Sequence, residues 1–201
     1  MFFSDGDCLA YLSWLREYAG KYGAEVLAYC LMPNHVHLVL TPRTATAIPL
    51  LMRSVHARYA QRVNRTRDWR GHVWQGRYFS SALDEAYLWA AVRYVERNPV
   101  RARIVKRAEN YRWSSAPAHC RQVQDPVLTK DCEWRRQVEG IGDWSAWLAQ
   151  GDHLENLKTL RLHAVKSLPC GSQEFLASME AKSGRSLAFR TAGRPRKGSA
   201  A

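Results

Sequence analysis

Acidic residues are scarce. The 201-residue chain has 18 Asp and Glu against 30 Lys and Arg, a formal net charge of +12. Such a surface is not indifferent to polyanions; it favours DNA, RNA or an anionic membrane surface. Long apolar runs are missing as well. None approaches the roughly 18 residues that a membrane span needs, so no membrane insertion is expected. Met1-Phe2-Phe3-Ser4-Asp5 lacks the charged and then apolar order of a signal peptide. The five cysteines, at 8, 30, 120, 132 and 170, are odd in number and widely spaced. They form neither a disulfide ladder nor a C-x-x-C metal knuckle, which suits a reducing cytoplasm. There is no G-x-x-x-x-G-K-[ST] loop, so no nucleotide cofactor is expected. What is present is a core: 46% hydrophobic residues and eight Trp exclude a disordered basic tail. A folded, basic chain of this kind points to nucleic acid as partner.

Periodicity predicts a helix over 5–22, where Leu12, Leu15, Ala19 and Tyr22 recur at helical spacing behind the capping candidates Ser4, Asp5 and Asp7. Residues 24–31 read as a buried strand, Met32-Pro33-Asn34 as a turn and 35–41 as a second strand, hence a hairpin. Residues 47–65 read as a helix with the stripe Leu51, Val55, Tyr59. Residues 72–83 are aromatic and β-branched enough for a strand or bent hairpin. Residues 84–98 read as a helix ended by Asn98-Pro99, since a residue preceding Pro is pushed out of the α region. Two further helices are expected at 153–167 and 172–183. The order predicts an α+β fold: an antiparallel sheet with helices on one face, followed by a small helical region. The expected division is 1–110, 111–190 and a flexible basic tail at 191–201.

His35-Val36-His37 is the sharpest local feature. Strand side chains alternate, so the two histidines share one face while Val36, Leu38 and Leu40 share the other. Three apolar residues suit a core, leaving the imidazoles free for one divalent ion. An isolated H-x-H pair fits two separately satisfied histidines as well, and two imidazoles need a third ligand from elsewhere. Tyr94 and Asn98 lie four apart, on one face of a helix. They fit a nucleophile and a hard oxygen ligand, or equally a core tyrosine and a helix-ending Asn. Arg93, Arg97, Arg101 and Arg103 surround them, as a solvated face or as phosphate contacts.

Taken together these segments resemble a family. Cys30-Leu31-Met32-Pro33-Asn34-His35-Val36-His37-Leu38 resembles the histidine–hydrophobe–histidine segment of single-tyrosine HUH (IS200-like) transposases. Tyr94-Val95-Glu96-Arg97-Asn98-Pro99-Val100-Arg101-Ala102 resembles their tyrosine helix. Trp74-Gln75-Gly76-Arg77-Tyr78, Tyr111-Arg112-Trp113-Ser114-Ser115, Leu168-Pro169-Cys170-Gly171-Ser172 and the terminal Gly193-Arg194-Pro195-Arg196-Lys197 resemble the subgroup of REP-associated tyrosine transposases. The resemblance implies a ferredoxin-like sheet domain. It implies Mg²⁺ or Mn²⁺ held by His35, His37 and Asn98, and Tyr94 as the nucleophile toward single-stranded or hairpin DNA. It implies DNA contacts from Arg77, Arg93, Arg97, Arg101, Arg194, Arg196 and Lys197. A monomer or homodimer acting in the cytoplasm at the nucleoid is expected.

Two departures stand out. Members of the family begin with a strand ahead of the first helix, and here the chain begins at what should be the following turn. A central strand is therefore expected to be missing, through a misplaced start rather than decay, because the catalytic positions are all present. Phe79 stands where a basic residue is common. Two other readings remain: a metal-dependent phosphohydrolase in which water attacks, and a non-catalytic DNA-binding protein that stacks bases on Trp69, Trp74 and Tyr78. Glu96, two positions from Tyr94, is expected to face elsewhere and not to serve as its base.

Overall fold

The computed structural model describes residues 1–152 and 154–187. Helix α1 (Asp5–Tyr22) begins where the Ser4 side chain accepts from the Asp7 backbone N–H, and ends at Gly23 in the left-handed region, φ 69°. Glycine suits that C-cap because it has no β-carbon to clash. Cys8, Tyr11, Leu15 and Ala19 form its buried stripe. Strand β1 (Ala24–Met32) turns at Pro33-Asn34 and pairs antiparallel with β2 (His35–Pro42). Helix α2 (Ala47–Arg67) buries Leu51, Met52, Val55, Tyr59 and Val63. Among the described residues the sheet has these two strands.

A register shift between Val26 and Ala28 resets the alternation of β1, after which each residue type has one face. Tyr29 and Leu31 oppose Leu38 and Val36, and this face packs on the stripes of α1 and α2. Ala28, Cys30 and Met32 oppose Val39, His37 and His35 on the other face. That second face lies under α3 (Glu85–Glu96), through Val92 and Val95. The α+β class and the antiparallel hairpin thus match expectation. Helices α1 and α2 cover one face, and α3 also lies on the other. Tyr11, Leu15, Leu51, Val55 and Tyr59 have essentially no exposed surface. At roughly 1.5–3 kcal/mol per fully buried large aliphatic side chain, they make the first face a firm platform for what the second displays.

The expected strand at 72–83 is not one. The segment is irregular, and Leu83 alone forms a bridge, to Cys170. Its aromatic content reflects single side chains reaching the core. The Trp74 indole stacks on His56, centroids 3.8 Å apart, and donates its N–H to the His56 carbonyl. β propensity measures fitness for a half-buried surface, and a loop that buries one ring at a time satisfies it equally. The expected helix 84–98 also divides: α3 stops at Glu96, and a single turn, α4 (Asn98–Arg101), follows with Pro99 near its start. A first-turn proline gives up no helical hydrogen bond, so Pro99 does not end helical structure there.

Beyond a 3-10 turn at Ala108–Asn110 come α5 (Ala116–His119), α6 (Cys132–Gly140), α7 (Trp144–Ala149), α8 (Leu154–Lys166) and α9 (Gln173–Ser183). The Tyr111–Ser115 motif lines the outer edge of β1. Leu31 N–H donates to the Trp113 carbonyl, Ser115 N–H to the Tyr29 carbonyl, and Tyr111 Oη to the Leu31 carbonyl. The Leu168–Ser172 motif closes onto the start of α3. Cys170 N–H donates to Ala82 O, Asp84 N–H to Cys170 O, and Ser172 N–H to Asp84 Oδ2. Asp84 also caps α3 by accepting from Tyr87 N–H. The later segments therefore fix both ends of the tyrosine helix. No helix among the described residues is long and apolar enough to cross a membrane.

Candidate functional site

The site lies on the sheet face that α3 covers. Because β2 alternates, His35 and His37 rise on that face together, with ring centroids 4.7 Å apart at 85°. The Tyr94 ring stands over them from α3, 5.4 Å from His37 at 81°. The structure thus brings together His35, His37 and Tyr94. His35 Nδ1 lies 2.6 Å from Asn34 Oδ1, and since an amide oxygen only accepts, Nδ1 carries the proton. This leaves Nε2 with its lone pair, one of the two ring nitrogens through which a histidine can ligate a metal. Burial lowers the proton affinity of His35. It drives that of His37 down to about 3, helped by the charges of His35, Arg101 and Arg161. His37 is accordingly neutral at physiological pH and able to ligate.

Asn98 is buried on the turn after α3, and its amide Nδ2 makes no hydrogen bond. A buried amide with no protein partner is costly, and the group is not committed to the fold. It makes no hydrogen bond to either histidine among the described residues. No group of three His, Cys, Asp or Glu side chains forms a metal cage among them. Two neutral imidazoles on one face are an incomplete donor set for a divalent ion, which would need further ligands.

The arginines of the tyrosine helix are mostly engaged. Arg93 donates to the Gly151 carbonyl and sits 4.1 Å from the Trp147 ring. Arg97 and Arg101 share Asp152 at 3.2 and 2.9 Å, and donate to the carbonyls of Leu148 and Tyr94 respectively. These contacts clamp α3 and α4 to the 147–152 segment. Arg101 also lies 4.2 Å from the Tyr94 ring. Arg77 is exposed in the irregular 72–83 segment. Arg194, Arg196 and Lys197 lie outside the described residues.

Sequence reasoning missed three features. Arg161 on α8 reaches to 5.7 Å from the Tyr94 ring. Asp152 holds two arginines of the site. Glu96 faces the core, as its position two after Tyr94 implies, but there it accepts from Ser115 Oγ, His119 Nδ1 and Trp144 Nε1. No spacing in the sequence links these residues to Tyr94. A buried acid inside the tyrosine motif was the one legible sign. Trp69, weighed as a base-stacking residue, is half exposed beside Phe3 and Arg67.

Residues 2–98 match the family described as "Transposase IS200 like". Among curated proteins, the ISDra2 transposase TnpA of Deinococcus radiodurans is 28% identical over 88 residues, which covers 41% of this chain and 63% of that protein. No solved structure matches.

Proposed function

We propose that the chain, whose residues 2–98 match the IS200-like transposase family, cleaves and rejoins single-stranded DNA at hairpin sequences of the REP type through Tyr94. The observation that carries this reading is the packing of the Tyr94 ring on His37, 5.4 Å away and within one chain. A nucleophile and two candidate metal ligands from separate elements share one surface.

Mg²⁺ or Mn²⁺ would be held by His35, His37 and Asn98. When bound, it polarises the scissile phosphate and offsets its developing charge. The protein's own part is positional. The sheet presents the neutral imidazoles, and α3 holds the phenol above them. Tyrosine has a reference pKa near 10 and is a weak nucleophile unless the phosphorus is brought to it. The Tyr94 Oη–P bond forms as the P–O3′ bond breaks. The phenolic proton passes to solvent, and the departing oxygen takes one up to leave as a 3′-hydroxyl. The 5′ end of the downstream fragment remains on Tyr94. Attack by a 3′-hydroxyl reverses the step with the phosphodiester energy conserved, so no nucleotide cofactor is needed.

In this reading residues 1–110 are the catalytic region, 111–190 a helical DNA-binding region and 191–201 a basic tail. Arg77 and the tail residues Arg194, Arg196 and Lys197 contact DNA. Arg93, Arg97 and Arg101 hold the tyrosine helix while adding positive potential. The site of action is the cytoplasm at the nucleoid. The working unit in this reading is a monomer or a homodimer.

The test is a 3′-end-labelled single-stranded hairpin incubated with the protein and Mg²⁺ or Mn²⁺, then run on a denaturing gel. The wild type gives a protein band carrying the label, and Tyr94→Phe, which keeps the ring but removes the oxygen, binds the hairpin and gives none. An adduct persisting in Tyr94→Phe overturns the nucleophile assignment. Cleavage with no adduct at any time favours attack by water.

A further inference from the structure

We infer that Arg161 forms an anion site beside the Tyr94 ring whose ligand is a phosphodiester of the DNA strand, and that it contacts the phosphate undergoing attack. The inference rests on the function proposed above and names a residue far outside its sequence motifs.

Four guanidinium groups surround Tyr94 and its helix, and they are not equivalent. Arg93 is spent on a backbone carbonyl and an indole face. Arg97 is spent on Asp152 and a carbonyl. Arg101, 4.2 Å from the Tyr94 ring, is likewise spent on Asp152 and on the Tyr94 carbonyl. Its Nε is buried with no hydrogen-bond partner. Arg161 comes from another part of the chain. Its neighbour Leu160 is buried in the core cluster beneath α3, and this anchors α8 at that point. The Arg161 side chain is exposed, lies 5.7 Å from the Tyr94 ring, and has no hydrogen bond or ion pair among the described residues.

An arginine held near another arginine with no acid of its own is an unfavourable arrangement, since like charges repel across a partly desolvated site. Asp152 is shared by Arg97 and Arg101 and has a nearly buried carboxylate. An arriving phosphodiester supplies the missing negative charge. A planar guanidinium with free N–H groups matches two non-bridging phosphate oxygens at once, which an ammonium group does not. Placed beside the attacking oxygen, it also faces the charge that grows on those oxygens during transfer. The C-terminal region thereby supplies part of the reaction centre as well as affinity for DNA.

The experiment compares wild type, Arg161→Ala and Arg161→Lys with the labelled hairpin. The first readout is the single-turnover rate of adduct formation at saturating DNA. The second is the salt dependence of hairpin binding, measured on a Tyr94→Phe background where no cleavage occurs. Arg161→Ala is expected to slow adduct formation about 100-fold, the scale for one oxyanion donor, and to reduce the salt slope by about one. Arg161→Lys should restore the salt slope but little of the rate. An unchanged rate and slope in Arg161→Ala overturn the site. Equal rates in the Lys variant and the wild type overturn the bidentate role. A reduced slope with no adduct from any variant, wild type included, keeps the anion site and rejects the tyrosine chemistry. A rate loss matched by a fall in thermal midpoint, with the slope intact, assigns Arg161 to structure and rejects the site.

Discussion

Replacing Glu96 by Leu removes the carboxylate of a buried network that ties the tyrosine helix to three later residues, Ser115, His119 and Trp144. Glu96 has no exposed surface. One oxygen accepts from Ser115 Oγ and from His119 Nδ1 at 2.6 Å, and the other accepts from Trp144 Nε1 at 2.7 Å. Ser115 has a second acceptor in the Tyr29 carbonyl, so its loss is small. His119 and the Trp144 indole N–H would be left without an acceptor, at about 1–3 kcal/mol each for a buried unsatisfied group. Leucine recovers part of this because no charge then has to be desolvated. The expected net loss is about 3 kcal/mol, a substantial part of a stability of roughly 5–15 kcal/mol. For a chain of this length it corresponds to a drop of about 6–12 °C in Tm. Tryptophan fluorescence during thermal or urea unfolding is a suitable measurement, because Trp144 reports from inside the network. Glu96→Gln, which keeps one acceptor, should fall between the two. Coupling to Trp144→Phe in a double-mutant cycle should exceed about 0.5 kcal/mol. A Leu variant as stable as the wild type, with no coupling to Trp144, would refute the reasoning. The functional corollary is a slower Tyr94 adduct in Glu96→Gln, because Tyr94 precedes Glu96 by only half a turn.

Two further outcomes follow from the histidines. His37→Ala should abolish divalent-metal-dependent cleavage, and EDTA should do the same to the wild type, while hairpin binding persists in both; cleavage at the wild-type rate by His37→Ala would remove the metal assignment. His56 is pressed face to face on Trp74, and burial lowers its pKa from 6.5 to about 4. Between those values the unfolded chain holds a proton that the folded one rejects, so His56 contributes full stability above pH 6.5 and loses it as the pH falls toward 4. At 1.36 kcal/mol per pH unit the loss approaches about 3 kcal/mol at pH 4. Urea unfolding at pH 7 and pH 4.5 should show a smaller pH effect in His56→Gln than in the wild type, and equal effects would rule His56 out as the source.

Much of the histidine face was legible in the linear sequence because its signals are short-range. Strand alternation alone sends His35 and His37 to one face and Val36, Leu38 and Leu40 to the other, and the pairing of β1 with β2 realises it. Ser4 and Gly23 bracket α1 through local capping chemistry. Residues 72–83 misled because aromatic and β-branched side chains signal burial, and burial does not specify a strand partner. Tertiary structure alone decided the rest. That the histidine face meets Tyr94, that Glu96 finds Ser115, His119 and Trp144, and that Arg161 arrives beside Tyr94 all depend on contacts between residues far apart in the chain. Such contacts leave no periodicity behind. They exist because α8 buries Leu160 beneath α3 and because the Leu168–Ser172 turn pairs with the chain entering that helix. Local sequence determined which side chains each element displays, and packing determined which displayed side chains meet.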